Sequence, residues 1–270
     1  MSRIEKAMEK ANKQRVEAGS SGPEPAQLQT VEKSAPLAER LLPSAPLRIN
    51  NPMLAALREK NDVVVEEYKK LRSLIVKLTG GDHFDNTLMV TSTVSGEGKT
   101  LTALNLAISL AKEYDHTVLL VDADLRRPSV HRYLGIEPEP GLIQCVKNQL
   151  PLGEALIKTG IGKLVVLPSG GTLDDPVEFL SSNRMKELIR ELKTRYPDRY
   201  VIFDTPPMLP FADAQVLKHA VDATLFVVRE RQAKIQHVKK ILNDLRDANL
   251  LGVVYNDIQS CTANNPYYYY

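Results

Sequence analysis

From Thr87 onward, short apolar runs bounded by turn residues alternate with stretches whose apolar positions recur every three or four residues. The runs TLMVTS (87–92), TVLLVD (117–122), KLVVLPS (163–169), YVIFD (200–204), ATLFVV (223–228) and LLGVVYN (250–256) are apolar nearly throughout, the mark of strands covered on both faces. Between them, helices are predicted from Thr100 to about Tyr114, from Pro176 to about Arg195 and across 232–247. Ahead of them, residues 63–78 predict a helix with Val64, Tyr68, Leu71, Ile75 and Leu78 on one stripe. This alternation predicts an α/β fold, a doubly wound and mostly parallel sheet with helices on both faces.

The pattern changes at both ends. Residues 20–52 are rich in Ser, Pro, Gly, Glu and Ala without a sustained period and predict a mostly disordered linker. Before them, Ile4, Ala7, Met8 and Ala11 share a helical face, so residues 2–15 predict a short amphipathic helix, either solvated or docking a partner. The expected division is an N-terminal extension over 1–60, a globular domain over 61–258 and a flexible tail over 259–270.

Composition narrows the classes. A chain of 270 residues has room for one sizeable α/β domain plus an extension. Thirty-five Lys and Arg against 33 Asp and Glu leave +2, too balanced for a protein that coats nucleic acid, and none is expected as a partner. Cys145 and Cys261 lie far apart with no CxxC spacing, which fits a reducing compartment and argues against structural zinc or an iron–sulfur cluster. No apolar run approaches the roughly 20 residues of a membrane span and the start lacks a signal-peptide core, so the expected location is cytoplasmic. The five histidines show no ligand spacing, and Asp213 is expected to cap a helix, with a nucleotide-sensing role as the alternative. Tyrosine dominates the aromatics, ten against five Phe and no Trp, and four of the ten are Tyr267, Tyr268, Tyr269 and Tyr270.

Three separated motifs build a nucleotide site. The first strand runs into SGEGKT, residues 95–100, and then into a helix. Gly96 and Gly98 let the backbone turn its N–H groups toward phosphate, Lys99 supplies a mobile charge for the outer phosphates, and Thr100 offers a hydroxyl to Mg²⁺. Ser95, Glu97 and Leu101 complete the nucleotide-binding stretch of this P-loop, although Thr93 stands where GxxxxGK[ST] has its first glycine. In LLVDADLRRP (119–128), Asp122 and Asp124 leave the carboxyl end of a strand, where open α/β sheets bind ligands; the bland alternative is a pair of acids capping a turn, neutralised by Arg126 and Arg127. In VIFDTPP (201–207), Asp204 ends another apolar strand and fits the acid that orients Mg²⁺ or its waters.

Together, a P-loop without its first glycine, a DxDxR sequence after the second strand and an apolar strand ending in DTPP resemble the bacterial tyrosine kinases. The resemblance covers about residues 61–270 and is closest to soluble, exopolysaccharide-associated members of the exosortase-linked type. It implies ATP and Mg²⁺ as cofactors and phosphorylation of Tyr267, Tyr268, Tyr269 and Tyr270 in trans within a ring-shaped homo-oligomer. It also implies a separate transmembrane activator of the chain-length-determinant type, recruitment to the inner membrane through that partner, an opposing tyrosine phosphatase, and a role in exopolysaccharide polymerisation or export. The family's ring helix carries E-x-x-R-x-x-R; here Glu66, Lys69 and Arg72 match it with Lys for the first Arg, which keeps the charge and loses the bidentate fork. Taken alone, the three are equally an exposed salt-bridged face. Two further departures from the family are Ser95 in place of Pro, and Asp174 and Asp175 where an asparagine-containing turn is usual.

A tyrosine hydroxyl with a pKa near 10 is protonated at neutral pH, so positioning and charge neutralisation carry the expected chemistry. Lys99 and Mg²⁺ are assigned to the β- and γ-phosphates, Thr100 and Asp122 to the metal, Asp204 to its water shell and Asp124 to the tyrosine proton, with Asp122 and Asp124 interchangeable. Arg126 either contacts phosphate or fixes the aspartates. About ten residues separate the last strand from Tyr267, a reach of about 35 Å. Two rival readings remain. One is a partitioning or division-site switch ATPase, whose early P-loop lysine is replaced here by Val94. The other is a non-enzymatic nucleotide-binding regulator with an inert tail.

Overall fold

A computed structural model describes residues 49, 51–58, 62–81 and 83–258. The expected N-terminal helix, most of the linker, Cys261 and the four tail tyrosines lie outside the described residues. In chain order the elements are a 3-10 turn (Ala55–Leu57), α1 (Val63–Thr79), β1 (Thr87–Ser92), α2 (Lys99–Ala111), β2 (Thr117–Asp122), α3 (Val130–Leu134), α4 (Leu142–Lys147) and α5 (Leu152–Ala155). There follow β3 (Ile157–Lys158), β4 (Leu164–Leu167), α6 (Pro176–Ser181), α7 (Asn183–Thr194), β5 (Arg199–Asp204), α8 (Asp213–Leu217), β6 (Ala223–Arg229), α9 (Ile235–Asp244) and β7 (Leu250–Asn256).

Among the described residues the strands form one sheet in the order β3-β4-β2-β5-β1-β6-β7, in which β3–β4 is the only antiparallel pair. The doubly wound, mostly parallel architecture expected from the apolar runs is therefore present. Alternate strand residues feed two cores. Leu88, Val90, Leu120, Ile202 and Val227 pack with α2 on one face, while Met89, Val121, Phe203 and Phe226 pack with residues of α4, α7 and α8 on the other. Helix α2 is apolar on nearly every side because it is covered twice, by the sheet beneath and by α1 and the 3-10 turn above.

Four local expectations are corrected. Residues 51–57, expected in the extension, pack on α2: Leu54, Ala55 and Ala56 are buried. Asn105 accepts from the Ala56 N–H at 2.9 Å and donates to the Met53 carbonyl at 3.3 Å. The packed domain thus begins ahead of residue 61. The stripe on α1 holds in its middle and fails at its ends: Ile75 is buried and Tyr68 and Leu71 are half-buried, while Val64 and Leu78 are 45% and 46% exposed and Val65 and Thr79 are buried in their place. Polar partners set this arrangement. Arg72 reaches Glu113 at 2.8 Å and the Ser109 carbonyl at 3.3 Å, and Thr79 shares a 2.7 Å hydrogen bond with Tyr200. The helix expected over 176–195 breaks at Ser182, whose extended backbone ends α6 and whose hydroxyl caps α7 by accepting from Met185 N–H at 3.2 Å. Asp213 is the first residue of α8, not its cap, and its side chain goes elsewhere.

Candidate active site

The sheet places the chemistry. Parallel pairing sets Asp204 beside Val90 on one side and beside Asp122 on the other, so the two strand-end carboxylates stand abreast next to the end of β1. Ala123 N–H donates to the Asp204 carbonyl at 2.8 Å, and Met208 and Leu209 N–H donate to the carbonyls of Ser92 and Thr93 at 2.9 and 3.1 Å. The three motifs are thereby knitted at one end of the sheet.

The P-loop is held from its outer side. Gly96 and Gly98 have φ of 85° and 90°, the left-handed region that glycine enters without strain. A Cβ on Gly98 would lie 2.1 Å from Asn256 Nδ2. The carbonyls of Ser95, Gly96 and Glu97 accept from Gln232 Nε2 at 3.2 Å, Arg229 Nη1 at 3.3 Å and Asn256 Nδ2 at 3.0 Å. Arg229 is itself anchored on Asp257 through Nε at 2.8 Å. With those carbonyls drawn outward, planar peptides turn the opposing N–H groups inward toward a phosphate. Glu97 is buried and does not face the cleft as a ligand: its carboxylate accepts from Val94 N–H at 2.7 Å and Arg229 N–H at 3.4 Å, and burial raises its pKa. It braces the loop against the end of β6.

Lys99 Nζ donates to Asp124 Oδ2 at 2.7 Å and stands 3.5 Å from the Thr100 hydroxyl. Burial opposes its charge, but the nearby carboxylates of Asp204, Asp124 and Asp122 outweigh that and hold its pKa above the ordinary lysine value. Asp122 uses Oδ2 to accept from Ser129 and Val130 N–H, each at 3.0 Å. Its Oδ1 and both oxygens of Asp204 are buried without a hydrogen bond of good geometry among the described residues. Burial raises the pKa of both aspartates; their mutual repulsion raises Asp122 further, while Lys99 and the Thr100 hydroxyl pull Asp204 only part of the way back.

Such orphaned oxygens beside a threonine hydroxyl are hard donors suited to Mg²⁺. Among the described residues no group of three or more His, Cys, Asp or Glu forms a metal cage, and Mg²⁺ commonly takes one or two carboxylates together with phosphate and water. The residues present fit that role.

The loop opens into a cleft of about 1950 Å³ whose lining includes Lys99, Leu101, Asp124, Tyr68, Val254 and Asn256. Arg126 is not brought to the loop. Its Nε and Nη2 bind Asp213 at 2.7 and 3.1 Å, and this pairing raises its pKa. Glu66 and Lys69 pair with each other at 2.8 Å on the exposed side of α1, whereas Arg72 is engaged with Glu113 inside the chain. The motifs did not reveal Arg229, Gln232 or Asp257. Asn256 carried a signal, since it ends an apolar strand at the same edge as Asp122 and Asp204.

Comparison with known proteins agrees with this geometry. An AAA domain family matches residues 86–251. Tyrosine-protein kinase YwqD of Bacillus subtilis is 35% identical over 217 residues, covering 80% of this chain and 90% of that protein. Tyrosine-protein kinase ptk of Acinetobacter johnsonii is 29% identical over 222 residues; the match takes in 79% of this chain and only 29% of that longer protein. The kinase domain of Escherichia coli tyrosine kinase ETK superposes with a TM-score of 0.72 at 29% identity, covering 85% of this chain and 89% of the other. A P-loop braced at the end of β1, two buried strand-end aspartates beside it with oxygens left over for a cation, and these relatives lead to one conclusion: the chain belongs to the bacterial tyrosine kinases and is a P-loop tyrosine-protein kinase.

Proposed function

We propose that this kinase transfers the γ-phosphate of ATP to its own Tyr267, Tyr268, Tyr269 and Tyr270, acting in trans between copies, and that this cycle regulates exopolysaccharide polymerisation or export. The observation that carries the reading is the Lys99–Asp124 pair at 2.7 Å beside the unpartnered oxygens of Asp122 and Asp204. An entering triphosphate competes for the Lys99 ammonium, which moves to the β- and γ-phosphates and frees the Asp124 carboxylate. Asp124 then faces the cleft and accepts the phenol proton as the Tyr oxygen bonds to the γ-phosphorus and ADP leaves. Asp122, fixed by two backbone N–H groups, and Thr100 would hold the metal, and Asp204 would serve its water shell. Bound Mg²⁺ would neutralise the charge on the transferring phosphoryl group. Asp124 lines the cleft whereas Asp122 is fully buried behind it, which favours Asp124 over Asp122 as the proton acceptor.

No helix among the described residues is long and apolar enough to cross a membrane. Inner-membrane recruitment is assigned, with the family resemblance as its support, to a separate transmembrane activator. Self-association is assigned to the outer side of α1, where Val64, Leu74 and Leu78 are exposed beside Glu66 and Lys69. Arg72 would contribute only after leaving Glu113. Four phosphotyrosines add about −6 to −8 charges, enough repulsion to separate the copies. A tyrosine phosphatase would reset the cycle.

The test is mass spectrometry of the full chain after incubation with MgATP, with and without inner-membrane extract, and light scattering before and after. Phosphate on residues 267–270 that disappears in Lys99→Met, together with a fall in assembly size, is the expected result. An unmodified tail in the presence of the extract, or modification that persists in Lys99→Met, refutes the autokinase reading.

A further inference from the structure

Asp213 is 0% exposed, and both its oxygens are taken by Arg126, Nε to Oδ2 at 2.7 Å and Nη2 to Oδ1 at 3.1 Å. The same guanidinium donates from Nη1 to the Asp174 carbonyl at 2.8 Å and lies 4.6 Å from the centre of the Phe211 ring. Arg126 belongs to the loop after β2, Asp174 to the loop after β4, and Phe211 and Asp213 to the segment after β5. One side chain thus joins the three loops that surround the transfer site.

That junction bears on Asp124, two residues before Arg126. The Asp124 loop is also tied by Ala123 N–H to the Asp204 carbonyl at 2.8 Å, by Leu173 N–H to the Leu125 carbonyl at 2.8 Å, by Arg127 N–H to Asp124 Oδ1 at 3.1 Å, by Lys99 to Asp124 Oδ2, and by Ser129 and Val130 N–H to Asp122. None of these bonds passes beyond Asp204 into the segment that follows it. To touch a phosphate, Arg126 would have to strand a fully buried carboxylate, which is far more costly than leaving a surface pair. We propose that Arg126 and Asp213 are positioning residues of the transfer site, locking the Asp124 loop to the segment after Asp204, and that Arg126 does not bind the nucleotide. The inference rests on the phosphoryl-transfer reading of this site.

The test uses the full chain in four forms: wild type, Asp213→Asn, Arg126→Gln and the double variant Arg126→Met with Asp213→Leu, which strands no buried charge. Asp213→Asn is expected to slow phosphotyrosine formation at saturating MgATP by roughly 100-fold, the scale of a misplaced catalytic group, while the MgATP Kd stays within about threefold. The double variant should regain thermal stability and remain slow. Amide hydrogen exchange over residues 123–129 should quicken in Asp213→Asn, a readout that needs no turnover. An unchanged rate in Asp213→Asn, unchanged exchange in that loop, or a double variant that recovers rate along with stability overturns the proposal. So does Arg126→Gln weakening MgATP more than about tenfold while Asp213→Asn does not, since that is the result for a phosphate ligand. A wild type that forms no phosphotyrosine counts against the kinase reading, and the exchange measurement then decides the pair by itself.

Discussion

At the scale of single residues, the site holds groups that serve chemistry at the expense of stability. Asp204 is fully buried with neither oxygen well hydrogen-bonded, and burial lifts its pKa above the ordinary carboxylate range. A carboxyl whose folded pKa is raised binds its proton more tightly in the folded chain. Its stabilising contribution is therefore present at low pH and is lost as pH rises from the ordinary carboxylate value through the raised one. Asp204→Asn should stabilise the metal-free, nucleotide-free protein by on the order of 1–3 kcal/mol, seen as a higher melting temperature and more at pH 8 than at pH 5, while abolishing kinase activity. Calorimetry at the two pH values with EDTA checks it, and a variant less stable than wild type at pH 8 contradicts it. Asp122, Asp204 and the P-loop residues were legible in the sequence because a strand apolar on both faces can end only at the sheet edge, which fixes where the terminal Asp must stand. The Arg126–Asp213 pair was not legible. Its partners are separated by 87 positions, and an Asp next to a helix start reads locally as a cap.

At the scale of elements, the segment 51–57 behaves as part of the domain although its composition reads as linker. Asn105, buried on α2, holds it through the Ala56 N–H and the Met53 carbonyl and also donates to the Leu101 carbonyl at 2.9 Å. Lys112 adds a bond to the Ala56 carbonyl. Asn105→Ala should destabilise the fold by roughly 2–3 kcal/mol, because it leaves a buried backbone N–H without an acceptor, and should speed tryptic cleavage after Arg58. Unchanged cleavage would show that burial of Leu54 alone retains the segment. The pattern of apolar positions identified α1 as a helix and the middle of its buried face, yet misplaced the ends of that face. Helical period specifies a stripe only within a fraction of a turn, and here the bonds of Arg72 and Thr79 choose the orientation. The break at Ser182 escaped for a related reason: the apolar spacing runs on through it, and only the cap on Met185 N–H reveals two helices.

At the scale of the whole molecule, the sheet order decides what the site can be. Because β1 lies between β5 and β6 with β2 beyond β5, the P-loop is flanked on one side by the two aspartate-bearing strands and on the other by β6 and β7. The aspartate side faces the reaction. The other side supplies the brace, through Arg229, Gln232, Asn256 and Asp257. The last two of those residues stand immediately before the segment that carries the tyrosines. This dictates where a stop codon is placed when the tyrosines are to be removed. A chain cut before Asn256 loses the donor to the Glu97 carbonyl and the anchor of Arg229 along with its acceptor residues. It should fail to hold MgATP by titration calorimetry, and its inactivity would then be mistaken for a missing substrate. A chain ending at Ile258 keeps the brace and should bind MgATP like the full chain, so that what it no longer does can be attributed to the lost tail and not to a collapsed P-loop.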